Sequence, residues 1–426
     1  MPFNADRWLR WTFHPGAWFW PAIVLGAVIR LYLVVFTEGT RDIAVWQQHA
    51  AGVRDLGLIG YYHSNVFMDH PPFISVVMSL LLRLAEATGI PFRVLLRMPF
   101  VLFDGGTTLL LASLLRHKPW RFVATAIYWL NPLSIIFSAY HGNTDSAVPF
   151  FILLCVWLLS KGKILAAGAV IGMSFWIKLP GLLVMPALVF FVPGWRKRLI
   201  FLLVTGMAAL PAYLPALILD AGTVWQHVFG YRGQMLQTSA GIQIWGLRAL
   251  ITSFAPAFSS WPAGGIGAAV FVVQHDWLFA VLSLLLLAWL RRSCRSVQEV
   301  CITIAASYAI IYGFSDYWSF QYFAWSVPFW FFLRPWFFVS ATILAGGYIY
   351  SLYWYLCGNP WLYGYWDFMG RPHWPQIVID FRNLALLFFF ASAWVFLISA
   401  VREQIVDAFR PPMAEPASSP GGPRSR

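Results

Sequence analysis

The 426-residue chain is 60% hydrophobic, 18% aromatic and only 11% charged, with 29 Lys and Arg against 17 Asp and Glu and a formal net charge of +12. A soluble globular domain carries roughly 25% charged residues, so the composition excludes a water-soluble domain, and the length suits many membrane-spanning helices. Nor does the basic excess describe a nucleic-acid surface: it falls in short clusters between apolar runs (Arg116-His117-Lys118 with Arg121, Lys161-Gly162-Lys163, Arg196-Lys197-Arg198, Arg291-Arg292 with Arg295), which read as positive-inside topology signals.

Arg7 and Arg10 precede a first apolar stretch, 17–36, that reads as a signal anchor. Directly after it comes EGTRDIAVWQQHA, residues 38–50. Helical spacing puts Asp42, Trp46 and His49 on one face and Ile43, Ala50 and Val53 on another. A carboxylate in a first helical turn is favoured by the macrodipole alone, yet Asp42 stands beside Arg41 where the first span leaves the bilayer. MDHPPF (68–73) then sets Asp69 and His70 before two prolines that can open the next helix. The stretch 73–88 reads as a helix lying in the membrane interface. A crossing there, followed by another at 95–115, would put Arg116–Arg121 on the same side as Asp69.

Further apolar runs lie near 95–115, 120–139, 146–160, 164–192, 199–219, 277–290, 299–315, 318–334, 336–357 and 383–401. Lys178 and Pro180 divide 164–192 into two shorter segments, and a Gly-rich run at 263–273 is either re-entrant or spanning, so 11 to 13 crossings are expected. The basic clusters then mark the cytoplasmic side. Residues 37–94, 140–145, 220–262, 315–317 and 358–382 face outward, and 411–426 form a disordered cytoplasmic tail. The expected fold is all-α: a polytopic membrane helical bundle in a single domain, 1–410, whose large first outer loop, 37–94, contains juxtamembrane helices.

Three more segments stand out. NPLSIIFSAYHGNTDS (131–146) ends in a polar turn with His141, Asn143 and Asp145; a hairpin tip needs Gly and Asn, but not a His and an Asp. Asp104 and Lys178 sit within apolar runs, where ionisable groups are costly and face a cavity or a partner. Each reads as functional, or as a counter-charge for the other or for Arg97. In DYWSFQYFAWSVPF (316–329), an interfacial aromatic belt explains Tyr322 and the other rings, but not Gln321. Four cysteines lie far apart, with neither metal-ligand spacing nor a disulfide framework. No P-loop, GxGxxG, HExxH or CxxC element occurs, which leaves carboxylates facing one side of the membrane as the enzymatic candidates.

In their order, RDIAVWQQHA, DHPPF, RMPFVLFD, NPLSIIFSAYHGNTDS and QYFAWSVP resemble the motifs of the GT-C superfamily of membrane glycosyltransferases. The pattern is similar to that of dolichyl-phosphate-glucose glucosyltransferases, mannosyltransferases and lipid A aminoarabinose transferases. The resemblance covers residues 20–180 best and 316–329 in pattern. It implies a site on the non-cytoplasmic face of a bacterial inner or plasma membrane, under the first outer loop. There a sugar would pass from a polyprenyl-phosphate donor to a lipid, glycan or protein acceptor. Asp42 would be the general base and Asp69 the second catalytic carboxylate. Arg41, His49, His70, Arg97, His141, Asn143, Asp145, Lys178, Arg232, Gln321 and Tyr322 would bind substrate, and Arg248 and Arg371 are further outer-side cations. The resemblance implies no cofactor beyond the lipid-linked sugar and no nucleic-acid partner; a divalent metal stays open, should Asp42, Asp69 and Asp145 converge. The rival reading is a transporter or flippase coupled through Asp104 and Lys178. It requires repeated halves with broken helices, and no such repeat is visible.

Overall fold

The computed structural model describes residues 16–65, 68–230, 238–239, 242–253, 271–294, 296–316, 319–363 and 374–408. Arg232, Arg371, most of the 263–273 run and the 411–426 tail lie outside the described residues. In chain order the helices are α1 Phe19–Phe36, α2 Arg41–Ser64, α3 Pro72–Thr88, α4 Phe92–Leu114, α5 Arg121–Trp129, α6 Pro132–Ile135, α7 Ala147–Ser160 and α8 Ile164–Ser174. They continue with α9 Met185–Phe191, α10 Trp195–Ala209, α11 Leu214–Val224, α12 Leu247–Ser253, α13 Asp276–Leu290, α14 Val297–Phe314, α15 Pro335–Cys357 and α16 Gln376–Ala408. A two-residue antiparallel ladder, Thr238–Ser239 with Ile242–Gln243, is a small addition to the helices.

Helix boundaries follow local chemistry. Ser296 and Glu299 close a capping box at the start of α14, the Glu299 amide donating to Ser296 Oγ and the Ser296 amide to Glu299 Oε2. Asn131 caps α6 by accepting the Leu133 amide at 2.9 Å, with Pro132 opening the helix. The 164–192 run breaks between α8 and α9, where Lys178 and the turn Pro180–Val184 stand.

Five helices are long and apolar enough to cross a bilayer: α1, α4, α14, α15 and α16. Two bent pairs, Arg121–Trp129 with Pro132–His141 (46°) and Trp195–Ala212 with Leu214–Phe229 (85°), raise the number to seven among the described residues. The molecule is an all-helical, multi-span integral membrane protein. The number falls short of the 11 to 13 crossings expected; four further apolar helices among the described residues, Thr144–Ser160, Ile164–Ser174, Pro180–Phe191 and Asp276–Leu290, are shorter than a full span. One run expected to span, 318–334, forms no single helix: its described residues, 319–334, fold as the 3₁₀ turns Phe320–Trp325 and Val327–Phe332, both turns buried throughout. A stretch enclosed by protein on every side meets no lipid, and its aromatic rings pack against α14, α16 and one another.

The central helix is α14, with 78% of its span buried against 28% for α1. Charges separate along the bundle. At one end Lys118 reaches Gln298 at 2.8 Å and Arg291 reaches Glu403 at 2.7 Å. The opposite end gathers the close of α1, the start of α2, the 141–146 turn and Gln321. Between the ends Arg30 of α1, 0% exposed, pairs with Asp104 of α4. Its guanidinium also donates to Ser134 Oγ and to the Trp129 carbonyl and lies 3.7 Å over the Trp129 ring. Tyr128, Ser134 and Ser138 complete the shell of Asp104. Asp104 therefore counter-charges Arg30, and neither Lys178 nor Arg97.

Candidate active site

The approach of α2 to the 136–143 segment builds the site. Beyond α6 the chain widens into a π-helical turn, Ile136–His141, and leaves it at Gly142 in the left-handed conformation (φ 76°). Gly39, between α1 and α2, has φ 81°. Ile43 lies between these two glycines: a Cβ on Gly39 would sit 2.2 Å from Ile43 Cδ1, and one on Gly142 2.7 Å from Ile43 Cγ1. Thr40 Oγ1 donates to the His141 carbonyl at 2.7 Å. Arg97, fully buried, gives Nη2 to the Val34 and Thr37 carbonyls (2.8 and 2.7 Å) and Nη1 to Thr37 Oγ1 and the Ala139 and Tyr140 carbonyls. Its donors satisfy carbonyls at the end of α1 and tie that end to the π turn. The Arg97 guanidinium is thus engaged by backbone carbonyls and the Thr37 hydroxyl.

Two donors converge on one oxygen of Asp42. Asn143 Nδ2 donates to Oδ2 at 2.9 Å and His141 Nε2 stands 3.0 Å from the same atom. Oδ1 has no hydrogen-bond partner among the described residues, and the side chain is 33% exposed. Burial pushes this carboxyl up, but His141 by charge and hydrogen bond, Asn143 by hydrogen bond and Lys178 by charge together hold it below the usual carboxylate range. An ionised carboxylate only accepts, so Nε2 carries the hydrogen and Nδ1 faces the hydroxyl of fully buried Tyr353. That contact fixes the ring's orientation, as a third group does for a catalytic histidine.

Asp69 is of a different kind. Burial raises its carboxyl to about 6, against the opposing charge of Lys178. Its neighbour His70 stacks on the Trp46 ring, centroids 4.0 Å apart and 12° from parallel. His49 lies edge-on to both rings and shares a hydrogen bond with Tyr61 Oη at 2.9 Å. Burial holds both imidazoles down, His49 to about 4 and His70 to about 3, so both are neutral at pH 7. Asp42 apart, the two α2 faces read from the sequence are both buried, because α3 and α4 cover Ile43, Trp46 and Ala50 together.

The third part is a cation. Lys178 Nζ donates to buried Asp145 at 2.7 Å and lies 5.4 Å from the Tyr322 ring centroid; the other Asp145 oxygen accepts from Trp325 Nε1 at 2.6 Å. Tyr322 stacks on Trp325 at 4.1 Å, and Gln321 Oε1 accepts from Ser319 Oγ. Arg41 stands half-buried at the start of α2. Arg248 pairs with Asp316 at 3.7 Å. Among the described residues no three His, Cys, Asp or Glu side chains are spaced to hold a metal ion. Lys178 acts electrostatically on Asp42, Asp69 and His70, whereas Asp104 belongs to the separate Arg30 network.

No family model matches the chain. It is 25% identical over 275 residues to GPI mannosyltransferase 1 of Kluyveromyces lactis, a match covering 62% of this chain and 65% of that protein. The chain is similar to a mannosyltransferase. That agrees with the glycosyltransferase resemblance its motifs carry, while the match spans less than two thirds of the relative's length.

Sequence reading passed over Arg30, Thr40, Trp325 and Tyr353. Arg30 carried a signal, being an arginine inside the first apolar run. The aromatic pair carried none in a chain with 24 Trp and 17 Tyr.

The glycine clamp makes a test. Gly142→Ala places a methyl against Ile43 and forces a strained φ; overpacking of this kind costs about 1–3 kcal/mol. A lower melting temperature and at least a tenfold drop in activity are expected, with partial recovery of both in Gly142→Ala/Ile43→Ala. A single variant that behaves as the parent removes the clamp from the account.

Proposed function

We propose that this protein is an inverting glycosyltransferase of mannosyl type that takes its sugar from a polyprenyl-phosphate donor on the non-cytoplasmic face of the membrane. The observation that carries the reading is Asp42: an ionised carboxylate at the exit of a membrane helix, with both supporting bonds on Oδ2 and Oδ1 open to a substrate. Oδ1 accepts the proton of the acceptor hydroxyl as the hydroxyl oxygen attacks the anomeric carbon. The bond from that carbon to the phosphate oxygen breaks on the opposite face, which inverts the centre, and the electron pair leaves with the polyprenyl phosphate. A phosphate leaving group needs no proton, only a cation, and Lys178 has two ammonium hydrogens beyond the one given to Asp145. Asp69, half-buried beside His70 and facing the charge of Lys178, orients the acceptor. The basic clusters at the far end of the bundle favour a cytoplasmic position for that end.

The direct test is turnover of the purified protein with a panel of polyprenyl-phosphate sugars, the mannosyl donor being the expected substrate; no transfer from any of them refutes the proposal. Lys178 is tested together with its partner. Lys178→Met alone strands the buried Asp145 carboxylate, so lost activity there would mix folding with binding. Lys178→Met/Asp145→Asn removes both charges. It should melt closer to the parent than the single variant does, and still lose about tenfold or more in kcat/KM for the donor, the worth of one charge-assisted contact. Parental kinetics in the double variant would reduce the pair to a structural one.

A further inference from the structure

A cleft of about 320 Å³ opens beside the start of α2, lined by Glu38, Thr40, Ile43, Gln47, Phe92 and Arg93 among others. It lies at the small end of the roughly 300–1,000 Å³ range of ligand sites. At about 100° per residue, Ala44 and Gln47, which also line it, lie on the side of α2 turned away from Asp42, Trp46 and His49. The cleft is therefore not an annex of the Asp42 site.

Its chemistry is unspent. Arg93 Nε is buried and makes no hydrogen bond, and a guanidinium N–H shut from water without an acceptor is costly. The nearest carboxylate, Glu38, stands 3.9 Å from Nη2, beyond hydrogen-bonding distance, with its side chain 63% exposed. Two helices, α2 and α4, begin at the rim of the cleft, and neither has a side-chain N-cap. Their positive dipole ends add to the field of Arg93. The position supplies the source of the ligand. α1 ends at Phe36 and α4 begins at Phe92, both long and apolar enough to cross a bilayer, so the cleft opens beside the ends of two such helices, where a lipid headgroup would meet it.

We propose that this cleft binds the phosphate of a membrane lipid headgroup, with Arg93 as its cation. The phosphate oxygens take the place of Glu38 at Arg93 Nη2, which stands 3.9 Å from that carboxylate without a hydrogen bond, and Glu38, on the exposed side, yields the guanidinium to them. Glu38 is then a competitor of the ligand, which gives the two charges opposite signs in an experiment.

The test uses the purified full chain in detergent micelles, with phosphatidic acid bound stepwise and adducts counted by native mass spectrometry. Inorganic phosphate is run as a second titrant. Arg93→Gln should weaken the lipid about tenfold or more, Glu38→Gln should tighten it, and Asp42→Asn should leave it unchanged. Equal binding by Arg93→Gln and the parent, in a variant that still melts cooperatively, overturns the site. Weaker binding by Glu38→Gln means that the occupant also carries an amine, against the proposal. Inorganic phosphate binding as tightly as the lipid shifts the source to solution, and loss of the lipid in Asp42→Asn moves it to the other face of α2. None of these outcomes depends on turnover, so the proposal fails or stands apart from the glycosyltransferase reading.

Discussion

Replacing Asp42 with Asn should cut turnover by about 10²–10⁴-fold, the range for removal of a general base, and leave the fold intact. The reason is local. Both donors, His141 Nε2 and Asn143 Nδ2, converge on Oδ2, so the amide oxygen of Asn can keep both bonds while its NH₂ replaces the open Oδ1. Melting temperature and donor affinity should therefore stay near the parent's, and the loss should fall on kcat. The pH profile separates the two carboxylates. Asp42 is held below the ordinary value of about 3.9, so a reaction that uses it as base loses rate only as pH falls toward and below 4. Asp69 takes up its proton near 6, and a base there would lose rate between pH 7 and 5. An acid limb near 6 in kcat/KM, together with an active Asp42→Asn, would transfer the role to Asp69.

The largest expected effect on stability belongs to Arg30. Arg30→Met removes the charge that compensates Asp104, whose side chain is 3% exposed, and leaves the carboxylate with three hydroxyls. Breaking a buried pair from one side costs about 3–5 kcal/mol. The variant should lose folded yield and melt well below the parent. Arg30→Met/Asp104→Leu removes both charges and should recover much of the loss, because a buried pair exchanged for apolar groups is often near neutral. Per folded molecule the double variant should keep its activity, since the pair lies in a network separate from Asp42. A parental melting curve for Arg30→Met would show that the pair does not hold α1 to α4.

The comparison of sequence with structure turns on which signals are local. Asp42, Asp69, His141, Asn143, Asp145 and Lys178 were legible as candidates because a polar residue in a chain this apolar needs a reason. Their partners were legible only where the same rule applied. Arg30 meets it and was the missing counter-charge of Asp104. Arg97 could be picked out, but its commitment to six backbone or hydroxyl oxygens depends on how the end of α1 meets the π turn, and no spacing encodes that. Tyr353 reaches His141 across 212 residues, and nothing near it in sequence distinguishes it from the other tyrosines. The 318–334 run misled because hydropathy cannot separate burial in protein from burial in lipid; Ser319, Gln321 and Ser326, each hydrogen-bonded inside the bundle, mark the difference.

The π turn of 136–141 stores a spare residue in the chain. A π turn holds one residue more than an α-helix does over the same rise. A chain one residue shorter between Ile136 and Tyr140 can therefore relax to α geometry and leave His141 on its present side of the helix. A second deletion finds no spare residue, and the imidazole would turn away from Asp42 by about 100° with no residue in contact with substrate exchanged. Related chains of this type are expected to absorb one deletion along 136–140 and not two, which sets a lower limit on the spacing between Asn131 and His141.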